Sequence, residues 1–278
     1  ASTIFPNILG DIGSQVVTMN AYIDPEKLTR STQEFQAACE HISSIVRSLS
    51  SDVGFLIDAG AEKIFVSDEF GGFIPDYRLL PIVTKLVLES GRRSGNEVLK
   101  FGCPVTGTGV MDLLADEYGA QLVRTQTTHL GMTNAVIDDP ELAFVGGTRG
   151  GFIFPKFSFA TDAMYSIVKI LELMATTGWK LGQVDRQLDV LHRTQRDVHC
   201  DWDSKGRVMR YAMRDSEHQQ RLLIDGIKII FDVRNWVLLL PSKEKTVFYI
   251  YVEAESPERA RAIADEYESK VVQWRDNV

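Results

Sequence analysis

The chain has 278 residues, of which 44% are hydrophobic and 24% are charged, and its formal net charge is −8 at pH 7. These values are typical of a globular protein with two domains, or three small ones. The acidic balance argues against a nucleic-acid partner, because binding to phosphates needs clustered lysine and arginine. No apolar run approaches the roughly 18 residues of a membrane span and no signal-peptide pattern is present, so we expect a cytoplasmic protein without a membrane partner.

The first part of the chain, residues 1–79, has an α/β pattern. It begins at Ala1 with helical apolar spacing and without a methionine, which favours a fragment of a longer protein. Ser31 and Glu34 are spaced as a capping box at the start of a helix. The predicted elements are a helix over residues 2–13, a β-rich run over 15–23, a helix over 31–49, and strands over 53–57 and 64–67.

A second α/β unit is predicted over residues 80–180. Its closing helix has one apolar face and ends at Gly178, a residue that favours helix termination. The predicted elements are a helix over residues 80–90, a strand over 98–105, a helix over 108–118, strands over 119–125, 142–146 and 152–154, and a helix over 161–177.

From residue 181 to residue 278 the pattern changes to α+β. Asp225 and Gly226 give a turn signal between two strands, and Ser256 and Pro257 begin a final helix as cap and first helical residue. Strands are predicted over 221–224, 227–231, 236–240 and 247–253. The apolar face of the final helix consists of Ala260, Ile263, Ala264, Tyr267, Val271 and Trp274. The predicted fold class is therefore α/β, with two α/β domains of mixed sheets followed by a smaller α+β C-terminal domain.

Cysteine and histidine spacing supports neither a disulfide framework nor a transition-metal site. No pair of cysteines has C-x-x-C spacing, and no pair of histidines has H-x-x-x-H spacing. We expect the thiols to be buried and inert. The residues concerned are Cys39, Cys103 and Cys200, and His192, His199 and His218.

Three stretches resemble the phosphoglucomutase/phosphomannomutase family in order and spacing: residues 52–70, residues 143–155, and residues 225–260. The resemblance implies phosphohexomutase-type domains, with residues 1–79 as an N-terminally truncated second domain, 80–180 as the third and 181–278 as the C-terminal fourth. It also implies that the family's first domain, which carries a phosphoserine, is missing from this chain.

Residues 58–63, the 58–63 loop, correspond to the loop that holds Mg²⁺ in the family and reads Asp-x-Asp-x-Asp-Arg there. The three carboxylate positions fall on Asp58, Gly60 and Glu62, and the arginine position falls on Lys63. Mg²⁺ prefers about six oxygen ligands in octahedral geometry, which one aspartate and one glutamate serve poorly. We therefore predict no metal, no cofactor and no catalytic residue in this chain.

Residues 146–151, the 146–151 loop, are similar to the family's sugar-recognition loop. Gly147 and Arg149 stand where a glutamate and a serine bind sugar hydroxyls in the family, and Thr148 and Gly150 complete the altered loop. Arg149 could bind a phosphate or a carboxylate instead, or it could be a solvated loop residue.

Residues 240–246, the 240–246 hairpin, are similar to the family's phosphate-binding loop. Leu240 stands at the position of its arginine and Lys243 at that of its glycine. Ser242, Lys243 and Lys245 could still hold an anion weakly, and an exposed charged hairpin is the alternative.

Near residues 124–129 the family places a catalytic lysine, but here none follows until Lys156. His129 has no evident carboxylate partner in the sequence, so a catalytic role for it is not favoured.

Together these losses favour a non-catalytic phosphohexomutase-like module. Residues 20–22, 56–60 and 151–155 resemble the mutase-like region of bacterial fusions with a sugar-1-phosphate nucleotidyltransferase, often a mannose-1-phosphate guanylyltransferase. One alternative is an active mutase that needs its missing N-terminal domain and Mg²⁺, and another is a pure assembly domain that binds no sugar phosphate. Expected partners are a sugar phosphate, the N-terminal part of the parent chain and a second copy in a homo-oligomer.

Overall fold

The fold is mixed α/β in a computed structural model that describes residues 3–21, 31–95 and 99–276. The predicted fold class is confirmed. Within those ranges no helix has the length and apolar character needed to cross a membrane.

The N-terminal part places a long helix on a small antiparallel sheet of order β1-β2-β3. Ser31 and Glu34 form the predicted capping box, with Ser31 N donating to Glu34 Oε2 at 2.7 Å and Glu34 N donating to Ser31 Oγ at 3.2 Å. Its elements are α1 (Phe5–Asp11), α2 (Thr32–Leu49), β1 (Gly54–Ile57), β2 (Ile64–Ser67) and β3 (Phe73–Ile74).

The β-rich run predicted over residues 15–23 is wrong over residues 15–21, which form no strand; residues 22 and 23 lie outside the described ranges. A strand is stable only when a neighbour pairs with its backbone, and the described part of the chain offers these residues no such neighbour. The side chain of Val17 is 66% exposed as a result.

The central part is a four-stranded sheet of order β5-β4-β6-β7, with β4 parallel to β5 and β6, and β7 antiparallel to β6. Its elements are α3 (Asp76–Arg93), β4 (Lys100–Pro104), α4 (Val110–Tyr118), β5 (Gln121–Thr125), α5 (His129–Asp138), β6 (Leu142–Gly146), β7 (Phe152–Ile153), α6 (Ala163–Thr177) and α7 (Leu181–Asp185). Gly178 is the left-handed C-cap of α6, as predicted.

Helix α3 begins four residues before the predicted start, and Pro81 lies inside it. Its first turn carries Asp76, which suits a helix N-terminus, and Pro81 lacks the N–H that would donate to the carbonyl four residues earlier. Helix α5 is not predicted by the apolar pattern, because only Gly131, Met132 and Val136 of it are buried.

The C-terminal part is a five-stranded antiparallel sheet of order β8-β12-β11-β10-β9, with α8 and α9 packed against it. Its elements are β8 (His192–His199), α8 (Trp202–Asp215), β9 (Gln220–Leu222), β10 (Ile227–Ile230), β11 (Trp236–Pro241), β12 (Val247–Ala254) and α9 (Pro257–Asp276). The six residues predicted as the apolar face of α9 are all buried. Strand β8 was not predicted because only Val198 of it is buried, yet it pairs with β12 along its whole length.

Two large apolar cores hold these layers. One joins the first sheet to the central sheet through residues such as Ile64, Leu86 and Phe144. The other lies between the C-terminal sheet and its helices, around Phe248 and Tyr267. Cys39, Cys103 and Cys200 are all buried, as expected. The domain limits at residues 79/80 and 180/181 stay predictions.

Candidate functional site

The 58–63 loop closes the hairpin between β1 and β2, and the carboxylate of Asp58 holds it in shape. Asp58 Oδ1 accepts hydrogen bonds from Glu62 N at 2.8 Å and Lys63 N at 3.0 Å. The backbone closes the same turn, with Asp58 N donating to Lys63 O at 3.1 Å, and Ala61 adopts a left-handed conformation with φ of 54°. One oxygen of Asp58 is therefore committed to the turn.

The donor set of this loop does not fit Mg²⁺. Gly60 contributes no side chain, the second carboxylate belongs to the exposed Glu62, and Lys63 brings a positive charge next to them. Across the described ranges, no three His, Cys, Asp or Glu side chains come together in a way that could bind a metal ion. The space itself is not blocked, since a Cβ built on Gly60 would lie 3.5 Å from Glu62 Cγ, an ordinary contact.

The fold brings the 58–63 loop and the 146–151 loop together. Ile64 N donates to Gly150 O at 3.0 Å, and Ala163 N, at the start of α6, donates to Ala61 O at 2.9 Å. Gly150 has φ of 79°, and a Cβ on it would lie only 2.2 Å from Ile64 O. A side chain at residue 150 would separate the loops, so glycine is needed there.

Two cations flank this junction. Lys63 and Arg149 lie beside the Ile64–Gly150 hydrogen bond, and both act on Asp76 at the start of α3. Burial raises the pKa of Asp76 above its ordinary value, although the charges of Arg149 and Lys63 act in the opposite direction. Burial also raises the pKa of Tyr251 on β12, again against the charge of Arg149. The charge of Arg149 therefore acts both on the start of α3 and on the C-terminal sheet.

In the 240–246 hairpin, the groups that sequence analysis assigned to an anion are engaged by the protein. Ser242 Oγ accepts hydrogen bonds from Glu244 N at 3.3 Å and Lys245 N at 3.1 Å. Lys243 Nζ lies 3.1 Å from Asp225 Oδ1 in an ion pair. The hairpin thus satisfies its own polar groups instead of presenting them to a ligand.

Asp225 connects this hairpin to the central domain. Its Oδ2 accepts hydrogen bonds from Thr127 N at 2.7 Å and Thr127 Oγ1 at 2.9 Å. Burial would raise the pKa of Asp225, but the hydrogen bonds from Thr127 and Lys243 outweigh burial and hold that pKa below its ordinary value of 3.8. Sequence reasoning recognised residue 225 only as a turn signal, because its partner lies far away in the chain.

Arg124 and His129 lie near the position of the family's catalytic lysine. The guanidinium of Arg124 donates to Gly107 O at 3.0 Å, to Thr108 O at 3.2 Å and to Asp112 Oδ2 at 2.5 Å. His129 is an exposed residue at the start of α5. Neither is placed as a proton donor or acceptor for a reaction at the loop junction.

Surface cavities of about 500 Å³ lie elsewhere. One is lined by Arg47, Glu69 and Lys180 among others, and another lies along α8 beside Met209 and Arg214. The residues that line these cavities include none from the three predicted loops.

Comparison with known proteins supports the family resemblance. Residues 75–189 match the family model described as "Phosphoglucomutase/phosphomannomutase, alpha/beta/alpha domain III". The chain is 29% identical over 262 residues to a protein of Thermococcus kodakarensis named "Phosphoglucomutase/phosphomannomutase", covering 94% of this chain and 56% of that protein. It is 26% identical over 267 residues to a "Probable phosphoglucosamine mutase" of Methanopyrus kandleri, covering 95% of this chain and 57% of the relative. The chain therefore spans a little over half the length of these relatives.

Solved structures share the fold. A phosphoglucomutase/phosphomannomutase family protein of Burkholderia thailandensis superimposes on all of this chain, and on 59% of its own length, with a TM-score of 0.81 at 15% identity. A putative phosphomannomutase of Thermus thermophilus matches 86% of this chain and 50% of its own, with a TM-score of 0.60 at 18% identity. At such low identity these likenesses concern the fold alone.

Proposed function

We propose, from the phosphoglucomutase/phosphomannomutase family character that the match over residues 75–189 supports, that this chain is a non-catalytic phosphohexomutase-like module. Its place is within a longer protein of nucleotide-sugar metabolism that also carries a sugar-1-phosphate nucleotidyltransferase. The ligand class of the module is a sugar phosphate.

The donor set of the 58–63 loop carries the proposal. A phosphoryl-transfer site needs positive charge to neutralise the transferred group, and a metal ion commonly supplies it. Here Gly60 stands at one carboxylate position, and one carboxylate oxygen of Asp58 accepts backbone hydrogen bonds within the turn. A loop with this composition serves as a hairpin turn.

The 240–246 hairpin gives independent support. Ser242 and Lys243 are engaged by the hairpin backbone and by Asp225, so a phosphate would have to compete with existing bonds. Arg149, in contrast, makes no hydrogen bond or ion pair within the described residues, and its guanidinium is exposed. Arg149 is therefore the group that we assign to a bound sugar phosphate.

The nucleotidyltransferase fusion is supported only by sequence. Residues 20–22, 56–60 and 151–155 resemble the mutase-like region of such fusions more than the active mutases. The region preceding residue 1 in the parent protein tests this directly: a nucleotidyltransferase domain there is the expected result, and a phosphoserine loop there would contradict it.

An active mutase is the second candidate, and the names of the relatives favour it, since they are called phosphoglucomutase/phosphomannomutase and probable phosphoglucosamine mutase. The deciding experiment is a mutase assay on the full-length protein with glucose 1-phosphate and mannose 1-phosphate in the presence of Mg²⁺. We expect no turnover. Turnover that Asp58→Ala abolishes, and that Asp116→Ala at an exposed carboxylate of α4 leaves intact, would establish the mutase and overturn our proposal.

A further inference from the structure

We infer that the C-terminal domain is locked onto the central domain by a buried polar cluster, so that the two move as one rigid body. We call this cluster the latch: it consists of residues 105–109, which follow β4, together with Arg193, Lys228, Trp236 and Glu253 of the C-terminal sheet. In open α/β sheets, ligands bind in the crevice beyond the carboxyl ends of the parallel strands. The latch fills this position at the end of β4 with side chains of the C-terminal sheet.

Three successive carbonyl groups of the loop accept hydrogen bonds from a lysine and an arginine side chain of the C-terminal domain. Lys228 Nζ donates to Val105 O at 3.1 Å and to Gly107 O at 3.3 Å. Arg193 Nη2 donates to Thr106 O at 2.6 Å. Opening the interface would leave Val105 O and Thr106 O unpaired until water entered, whereas Gly107 O would keep its hydrogen bond from Arg124.

Glu253 completes the cluster from β12, with a side chain only 1% exposed. Its Oε1 accepts hydrogen bonds from Gly109 N at 2.6 Å and from Trp236 Nε1 at 3.0 Å. Its Oε2 lies 3.4 Å from Arg193 Nε. One carboxylate thus joins the loop of the central domain to two side chains of the C-terminal sheet.

Close packing accompanies these polar contacts. Val105 lies in an apolar cluster with Trp236 and Leu238, so the loop tip is buried in the C-terminal sheet. A Cβ on Gly109 would lie 2.2 Å from Val233 O, which shows that the two backbones approach too closely for any side chain at residue 109.

Lys228 lies in the latch although burial disfavours its charged form, and its hydrogen bonds to the loop carbonyls hold the amine there. Burial lowers the pKa of Lys228 well below its ordinary value, with Arg124 acting in the same direction and Asp112, Cys103 and Glu253 acting against it. The amine lies 3.8 Å from the centre of the Trp236 ring. Buried polar networks are costly when only partly satisfied, so the contacts of the latch break together or not at all.

A second attachment lies apart from the latch. Asp225 of the C-terminal domain accepts two hydrogen bonds from Thr127 of the central domain. Since rotation about one attachment would break the other, the two together oppose a hinge motion.

Electron–electron double resonance on the full chain tests whether the two domains move as one rigid body. Spin labels on Asn134→Cys of α5 and Gln273→Cys of α9 report the distance between the domains, and the three native cysteines are buried from the reagent. We expect one narrow distance distribution that glucose 1-phosphate does not shift. A broad or two-peaked distribution in the otherwise native chain would overturn the inference.

Two variants test whether the latch is what prevents relative motion of the two domains. Glu253→Ala should broaden the distribution, whereas Glu268→Ala, which removes an exposed ion pair with Arg196 inside the C-terminal domain, should leave it narrow. Equal distributions for these variants would contradict the role of the latch. Should Glu253→Ala not fold, amide exchange of Gly109 in Glu253→Gln replaces it. Exchange about tenfold faster than in Glu268→Ala is expected, and equal rates would contradict the latch.

Discussion

Replacing Glu253 with alanine is the most informative perturbation of stability, because its carboxylate serves two buried donors. In Glu253→Ala, Gly109 N and Trp236 Nε1 lose the acceptor that now lies at 2.6 and 3.0 Å. An unsatisfied buried donor costs about 1–3 kcal/mol, so the two together cost about 2–6 kcal/mol. The contact with the partly exposed Arg193 adds about 0–1 kcal/mol. Against a total stability of about 5–15 kcal/mol, this is a severe loss.

Glu253→Gln is the matched comparison. Its amide oxygen can still accept from Gly109 N and Trp236 Nε1, so only the charge and the Arg193 contact are lost, at a cost of about 1–2 kcal/mol. Urea unfolding of both variants, followed by tryptophan fluorescence and by circular dichroism, gives the two free energies. Equal losses in the two variants, or a loss below about 1 kcal/mol in Glu253→Ala, would refute the reasoning that buried donors dominate.

Three further predictions concern Asp225, Gly150 and Ser31. The folded-state pKa of Asp225 is lowered from its ordinary value of 3.8. Asp225 therefore stabilises the fold above pH 3.8, and this contribution is lost as the pH falls through the folded-state pKa. The urea midpoints of the native protein and of Asp225→Asn should differ near neutral pH and converge in acid. Gly150→Ala should lower the free energy of unfolding, measured by thermal unfolding, by about 1–3 kcal/mol, because residue 150 has positive φ and a Cβ would meet Ile64 O. In the control Gly60→Ala the free energy of unfolding should change by no more than about 0.5 kcal/mol. Ser31→Ala, which removes the helix cap of α2, should cost about 1 kcal/mol in urea unfolding, and no change would contradict the capping role.

Local signals in the sequence predict most elements. The capping box at Ser31, the left-handed stop at Gly178 and the apolar face of α9 are each determined by a few neighbouring residues, and the structure has all of them. Strand β8 and the run over residues 15–21 show the limit of such signals. Strand β8 is polar yet pairs with β12, and the run over residues 15–21 is apolar yet pairs with no strand of the described residues. Strand formation depends on a neighbouring strand that the local sequence does not identify.

The same distinction applies to the candidate site. The sequence identifies the three loops by their motifs, and the structure shows two of them in direct contact through Ile64 and Gly150. Local sequence patterns do not predict the latch, because Gly109 and Glu253 are separated by 144 positions in the chain. Lys228 and Glu253 look like solvent-facing residues of alternating strands, whereas both are buried and bonded to residues that follow β4.

The central claim is that the 58–63 loop has kept its shape and lost its metal ligands. Titration with Mn²⁺, followed by electron paramagnetic resonance, compares the native chain with the variant Gly60→Asp/Glu62→Asp/Lys63→Arg. A Cβ at residue 60 makes only ordinary contacts, so the loop has room for the first atom of the new side chain. We predict no saturable binding to the native chain and saturable binding to the variant. Saturable binding to the native chain that Asp58→Asn abolishes would contradict the account.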